Sequence, residues 1–241
     1  LISFSLPLML SGILQLMFNA VDIVVVGRFS GSEALAAVGS TTALINVFTN
    51  LFIGISLGAN VLAARFYAAG KDEEMSETVH TSILLALVSG VIMAFLGVLF
   101  ARICLELMDT PDDVIDLSTL YMRIYFLGMP FFMLYNYGAA ILRAVGDTKR
   151  PLLFLIVAGV INACLNLLLV IVFHLGVAGV AIATVTAQFI VMSILVGGIM
   201  IRKKENVLKG THIFAAISWD SLRGICRIGI PTACLLYTSD A

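Results

Sequence analysis

The sequence predicts an all-α integral membrane protein built around a lobe of six transmembrane helices. Two observations carry that reading. Of the 241 residues, 61% are hydrophobic and only 12% are charged, whereas a soluble domain is roughly half apolar and about a quarter charged. The apolar residues also fall into six continuous runs, at 2–26, 40–64, 79–101, 117–141, 151–173 and 177–201. Each run is long enough to cross a bilayer, which takes about 20 residues of helix. Transmembrane strands would alternate in polarity instead.

The first span holds a single acid, Asp22, in the stretch FNAVDIVVVG (18–27). Gln15, Asn19 and Asp22 stand at i, i+4 and i+7, which places them within about 60° of one another on a helix. Ser11 extends the same stripe. Lipid offers such a stripe no partner, so it is expected to face a bundle interior or a wet cavity. An acid this near a helix end can also be interfacial. Pro7 is the expected bend of this helix. The second span carries Asn46, Asn50, Ser56 and Asn60 over more than one face.

Turn chemistry marks the breaks at Gly27 to Ser32, Ala69 to Glu74, Asp109 to Asp113, Gly146 to Pro151 and His174 to Gly176. The third span ends in the acidic loop MDTPDDVID (108–116). Arg123, near the start of the fourth, is read with those acids as interfacial or solvated. In the fifth span Asn162 and Asn166 are i, i+4 neighbours, and in the sixth so are Thr184 and Gln188. Amides and hydroxyls can share hydrogen bonds with a carboxylate or offer oxygen to a hard cation. Asn pairs also serve as interhelical glue, and Thr as a packing residue.

Loop charge sets the expected orientation, because basic residues concentrate on the cytoplasmic side. Arg65, Lys71, Arg143, Lys149, Arg150, Arg202, Lys203, Lys204, Lys209, Arg223 and Arg227 share one side, against Arg28 and Arg102 on the other. The basic side is therefore expected in the cytoplasm of a multi-pass inner-membrane protein, together with the N-terminus and the 202–220 linker. Asp22 then lies toward the outer end of its helix. Residues 1–201 form the expected lobe, and 221–233 the start of a seventh helix. RIGIPTA (227–233) echoes ISFSLPLML (2–10), with Pro231 in the place of Pro7, as in an internal repeat. The N-terminus reads as cut. The octapeptide CLLYTSDA (234–241) reads as a non-native, adapter-derived tail and is set aside.

Several function classes are disfavoured. A net charge of −1 gives no basic field for nucleic acid. There is no glycine-rich phosphate loop and no Cys/His metal spacing, and no Ser/His/Asp or paired-carboxylate arrangement for catalysis. Cys104, Cys164, Cys226 and Cys234 are scattered and read as free thiols. His80 and His174 sit at helix ends, and the Met residues read as filler.

Four stretches carry a resemblance: Pro7 to Asp22 with VVVGRFSGSEALAAVG (24–39), LRAVGDTKRP (142–151), NACLNLLLV (162–170) and HLGVAGVAIAT (174–184). In order and without large gaps, they resemble MATE (multidrug and toxic compound extrusion) transporters from residue 1 to about 233. The resemblance implies a twelve-helix fold of two six-helix lobes around a cavity, this chain supplying the N-terminal lobe, the linker and the first turns of helix 7. It implies export of small organic, mostly cationic, toxic compounds driven by inward Na⁺ or H⁺, with no other cofactor and no obligatory protein partner. It also implies a cation or proton site at Asp22, Asn162, Asn166 and Thr184, with Gln15 and Asn19 as a supporting stripe. Some members carry a second carboxylate at the position of Asn166 and a Tyr at that of Phe18. With one formal charge here, the choice between Na⁺ and H⁺ stays open.

On this reading Asp22 is a coupling switch: protonation or ion binding from outside reorganises the first helix, releases substrate outward, and the lobes rock back. Residues 1–241 alone are expected not to transport. Two rival readings stand beside it. A lipid-linked oligosaccharide flippase of related architecture would need several cavity cations for a pyrophosphate, and Arg123 is the only basic residue near a span. A membrane-embedded transferase would need an Asp-rich metal motif, for which DTPDD (109–113), with Asp112 and Asp113, is the only candidate.

Overall fold

The computed structural model describes residues 2–201 and 218–239, and every element among them is helical. In chain order they are α1 (Ile2–Phe29), α2 (Gly31–Ala68), α3 (Asp72–Leu107), α4 (Asp112–Leu127), α5 (Met129–Ala144), α6 (Lys149–Leu167), α7 (Gly176–Ile201) and α8 (Trp219–Ser239). A π-helical turn, Leu168–Val172, extends α6. Five helices are long and apolar enough to cross a membrane, or six when α4 and α5 count as one span.

Helices begin earlier than hydropathy alone predicts, because polar first turns are still good helix. α3 opens on Asp72, Glu73 and Glu74, whose charges suit the positive end of the helix dipole. Only Ser30 separates α1 from α2, and Gly31 takes φ +88° there; without a Cβ, glycine adopts that conformation at little cost. His174, at φ +53°, turns the chain from α6 into α7.

The fourth expected span is corrected. Instead of one helix over 117–141, α4 and α5 meet at Gly128 with a bend of 48°. Pro130 has no N–H for an α4-type bond, and the N–H groups of Phe131 and Phe132 both turn to the Gly128 carbonyl, at 3.1 Å each. The bend passes through the main core. Phe126, Met129, Met133 and Tyr137 are fully buried there with Met122, Leu105 and Ala86. α3 approaches closely enough at Gly90 that an added Cβ would lie 2.6 Å from Pro130 Cα.

A second apolar cluster joins Val25 and Val26 of α1, Ala34 and Val38 of α2, Tyr121 of α4, and Val170, Val177 and Val180 around the α6–α7 turn. It covers one flank of the polar residues described next. α1 is otherwise peripheral and runs through Pro7 as one continuous helix, with the Ser11 hydroxyl donating to the Pro7 carbonyl at 2.7 Å.

α8 lies along α2 with backbones nearly touching. A Cβ on Gly58 would strike the Ile225 carbonyl and lie 2.7 Å from Gly229 N, and one on Gly229 would lie 2.6 Å from Ile55 Cα. Gly54 meets Ala233 in the same way. Small residues allow this approach, as in small-xxx-small pairs of membrane helices. α8 begins at Trp219, inside the 202–220 segment read as linker, and 202–217 lie outside the described residues. The helix continues through 234–239 of the segment read as a tail; CLLYTS contains no Gly or Pro to stop it.

Candidate transport site

Three helices bring four polar side chains into one chain of hydrogen bonds. α1 supplies Asp22, α6 supplies Asn162 and Asn166 one turn apart, and α7 supplies Thr184. Asn166 is fully buried. Its Nδ2 donates to Asp22 Oδ1 and to Asn162 Oδ1, the latter at 2.7 Å. Asn162 Nδ2 donates to Thr184 Oγ1 at 3.2 Å, and that hydroxyl donates to the Val180 carbonyl at 3.0 Å. An ionised carboxylate only accepts, so the amide of Asn166 must turn its nitrogen toward Asp22. Its Oδ1 is then left buried with no hydrogen-bond partner, an arrangement that is costly unless something else meets that oxygen.

Local sequence explains the positioning. The i, i+4 spacing puts both Asn side chains on the face of α6 that meets α1 and α7. Gly159, two turns before Asn166, seats the Phe18 ring of α1 directly on the α6 backbone. Phe18 lies one helical turn before Asp22, so this contact holds the carboxylate against Asn166. A Tyr here would carry its hydroxyl into that glycine notch.

The rest of the predicted stripe is not part of the cluster. Gln15 and Asn19 are exposed on α1 and make no side-chain hydrogen bond among the described residues. They lie beside Asp22 around α1, but the covered line of that helix runs through Pro7, Ser11, Leu14, Phe18 and Asp22 and leaves them outside it. Asn60 of α2, one of the scattered amides, instead donates to the Ala140 carbonyl of α5 at 2.9 Å, tying the two helices.

Two residues not singled out from the sequence complete the surroundings. Tyr121 and Tyr125 of α4 stack with ring centroids 6.1 Å apart. Both lie within reach of the Asp22 charge, and Tyr125 lies near Gln188 of α7. Their i, i+4 spacing on an apolar helix was the available signal.

The MatE family profile matches residues 7–168. The chain belongs to the MATE family. A Bacillus subtilis relative, named as the probable multidrug resistance protein YoeA, is 35% identical over 95% of this chain and 51% of its own length. A Thermotoga maritima relative, named as the probable multidrug resistance protein NorM, is 30% identical over 97% of this chain and 50% of its own. A crystal structure of a MATE protein in a straight conformation superposes with a TM-score of 0.88 at 25% identity, over 98% of this chain and 52% of that one. This MATE chain thus spans about half the length of the curated relatives it matches. It is a multi-pass membrane protein of a family of transporters, not enzymes. The transferase reading is accordingly set aside. The flippase reading is not favoured either, since these relatives are named for multidrug resistance.

Proposed function

We propose that the chain forms one lobe of an exporter that moves small organic cations out across the cytoplasmic membrane in exchange for Na⁺ or H⁺, with Asp22 as the coupling carboxylate. The buried, unpartnered Oδ1 of Asn166 beside Asp22 supports this reading most directly. It is an oxygen donor next to a formal negative charge, a combination that suits a hard cation. Asp22 is the one charged group of the cluster, which favours cationic cargo.

A proton acts on the same chain of bonds by reversing it. Protonated Asp22 becomes a donor, and its O–H is best met by a flipped Asn166, whose oxygen now faces it. Asn162 must then turn its own nitrogen toward Asn166, and Thr184 must give up the Val180 carbonyl to donate to Asn162. Occupancy at Asp22 on α1 is thereby felt on α7. Na⁺ draws on the same carboxylate, so ion and proton compete for one group.

The test is Asp22→Asn in a transporter carrying both lobes, with drug efflux from cells and cation-driven uptake into proteoliposomes measured. The variant is expected to lose coupled transport while keeping its helical content. Wild-type coupled transport by Asp22→Asn would overturn the assignment.

A further inference from the structure

Arg123 stands on the exposed face of α4, at i+7 from Asp116, which puts it about 10 Å further along the helix. Its neighbours on that face are Leu120 and Leu127, 44% and 58% exposed. The ion pair between Arg102 of α3 and Asp116 of α4, at 2.8 Å, fixes how the two antiparallel helices align. On that alignment Arg123 stands level with the stretch of α3 from Phe95 to Phe100, where Phe95 is 69% and Leu99 55% exposed. The groove between the helices is thus apolar at this level and continuous with the exposed side of α3.

The two arginines of this groove differ. The Arg102 guanidinium already holds Glu106 at 2.9 Å and Asp116 at 2.8 Å. Arg123 forms no ion pair among the described residues. On α3 and α4 the acids Asp116, Asp112, Asp113 and Glu106 all stand at that pair or toward the helix ends beyond it. A guanidinium left among apolar side chains in a span is costly unless it finds an anion or reaches the interface. Its stem is long enough to lie on apolar surface while the head turns toward the headgroup layer, and its planar fork matches a phosphate.

From this we infer that Arg123 holds the phosphate of an anionic phospholipid whose acyl chains lie in the α3–α4 groove over Phe95, Leu99, Leu120 and Leu127. The occupant is a lipid rather than a free anion because the side chains around Arg123 itself, Leu120, Leu127, Phe95 and Leu99, offer contact to hydrocarbon. The site lies in the leaflet on the side of the 108–116 loop. It is separate from Asp22, so its failure leaves the coupling proposal untouched.

The purified protein would be reconstituted in vesicles of equal phosphatidylglycerol and phosphatidylcholine, extracted gently, and its retained lipid weighed by native mass spectrometry. Wild type is expected to retain phosphatidylglycerol about fivefold over phosphatidylcholine, the effect of one basic residue at an anionic leaflet. Arg123→Gln should abolish the preference, Arg123→Lys should keep part of it, and Arg102→Gln should leave it in place. Inorganic phosphate in the buffer should not displace the lipid. Equal retention of both lipids by wild type would overturn the inference even if Arg123→Gln failed to fold. So would an undiminished preference in folded Arg123→Gln, and displacement by inorganic phosphate would mark a free-anion site instead.

Discussion

Replacing Asn166 by alanine removes both hydrogen bonds its amide donates, one to the Asp22 carboxylate and one to Asn162 Oδ1. Bonds to charged groups are worth about 1.5–3 kcal/mol in soluble proteins. Between membrane helices they average about 0.6 and reach about 1.7 kcal/mol. The fully buried, charge-assisted bond belongs near the upper membrane figure and the neutral one near the mean, so Asn166→Ala should cost about 2 kcal/mol. A cycle with Asp22→Ala isolates the shared bond, with an expected coupling of about 1–1.7 kcal/mol. At about 2–4 °C per kcal/mol for a chain of this size, the double variant should melt about 4 °C above the sum of the single losses. Thermal unfolding in detergent, followed by circular dichroism, measures this. Thr78→Ala paired with Asp22→Ala is the control, since the Thr78 hydroxyl bonds within α3 and shares no partner with Asp22. Additivity of Asp22→Ala and Asn166→Ala within about 0.5 kcal/mol, the scatter expected of independent sites, would refute the reasoning.

Gly58→Leu should force α8 away from α2, costing at least the 1–3 kcal/mol typical of overpacking; faster proteolysis ahead of Trp219 and a lower melting temperature would show it. Asn60→Ala deletes the bond to the Ala140 carbonyl and should cost about 0.6 kcal/mol, the membrane mean, visible as a drop of about 2 °C. His174→Gly relieves a left-handed backbone at φ +53° and should be neutral or stabilising by up to about 1 kcal/mol, read in the same assay; a clear loss would show that the imidazole makes a contact of its own.

The spans were legible because lipid penalises polar backbone and side chains so strongly that composition alone reports them. The candidate site was legible for the same reason: Asp22, Asn162, Asn166 and Thr184 stood out as polar groups at helical spacing in apolar runs, and they do meet. Periodicity could not tell which part of a stripe is covered. Gln15 and Asn19 stand beside Asp22 and stay exposed, because the covered line of α1 runs through Ser11, Leu14 and Phe18 instead. Tyr121 and Tyr125 escaped notice since a tyrosine reads as apolar until its hydroxyl finds a neighbour. Gly128 and Pro130 lie inside a run that stays hydrophobic, so hydropathy carried on across a bend that backbone hydrogen bonding makes.

The partner of Gly54 and Gly58 is synthesised long after α2 itself, and chains emerge from the N-terminus first. Until α8 arrives, α2 must sit in the bilayer with a bare strip of backbone on one side. Closing that strip asks for little ordering, because glycine and alanine have almost no rotamers to lose, and the cost of closing a long loop rises only slowly with its length. The seam therefore behaves as a latch that shuts late and without strain. It also works as a gauge: Ile225, Gly229 and Ala233 can meet α2 at only one height, which sets the depth of α8 in the membrane.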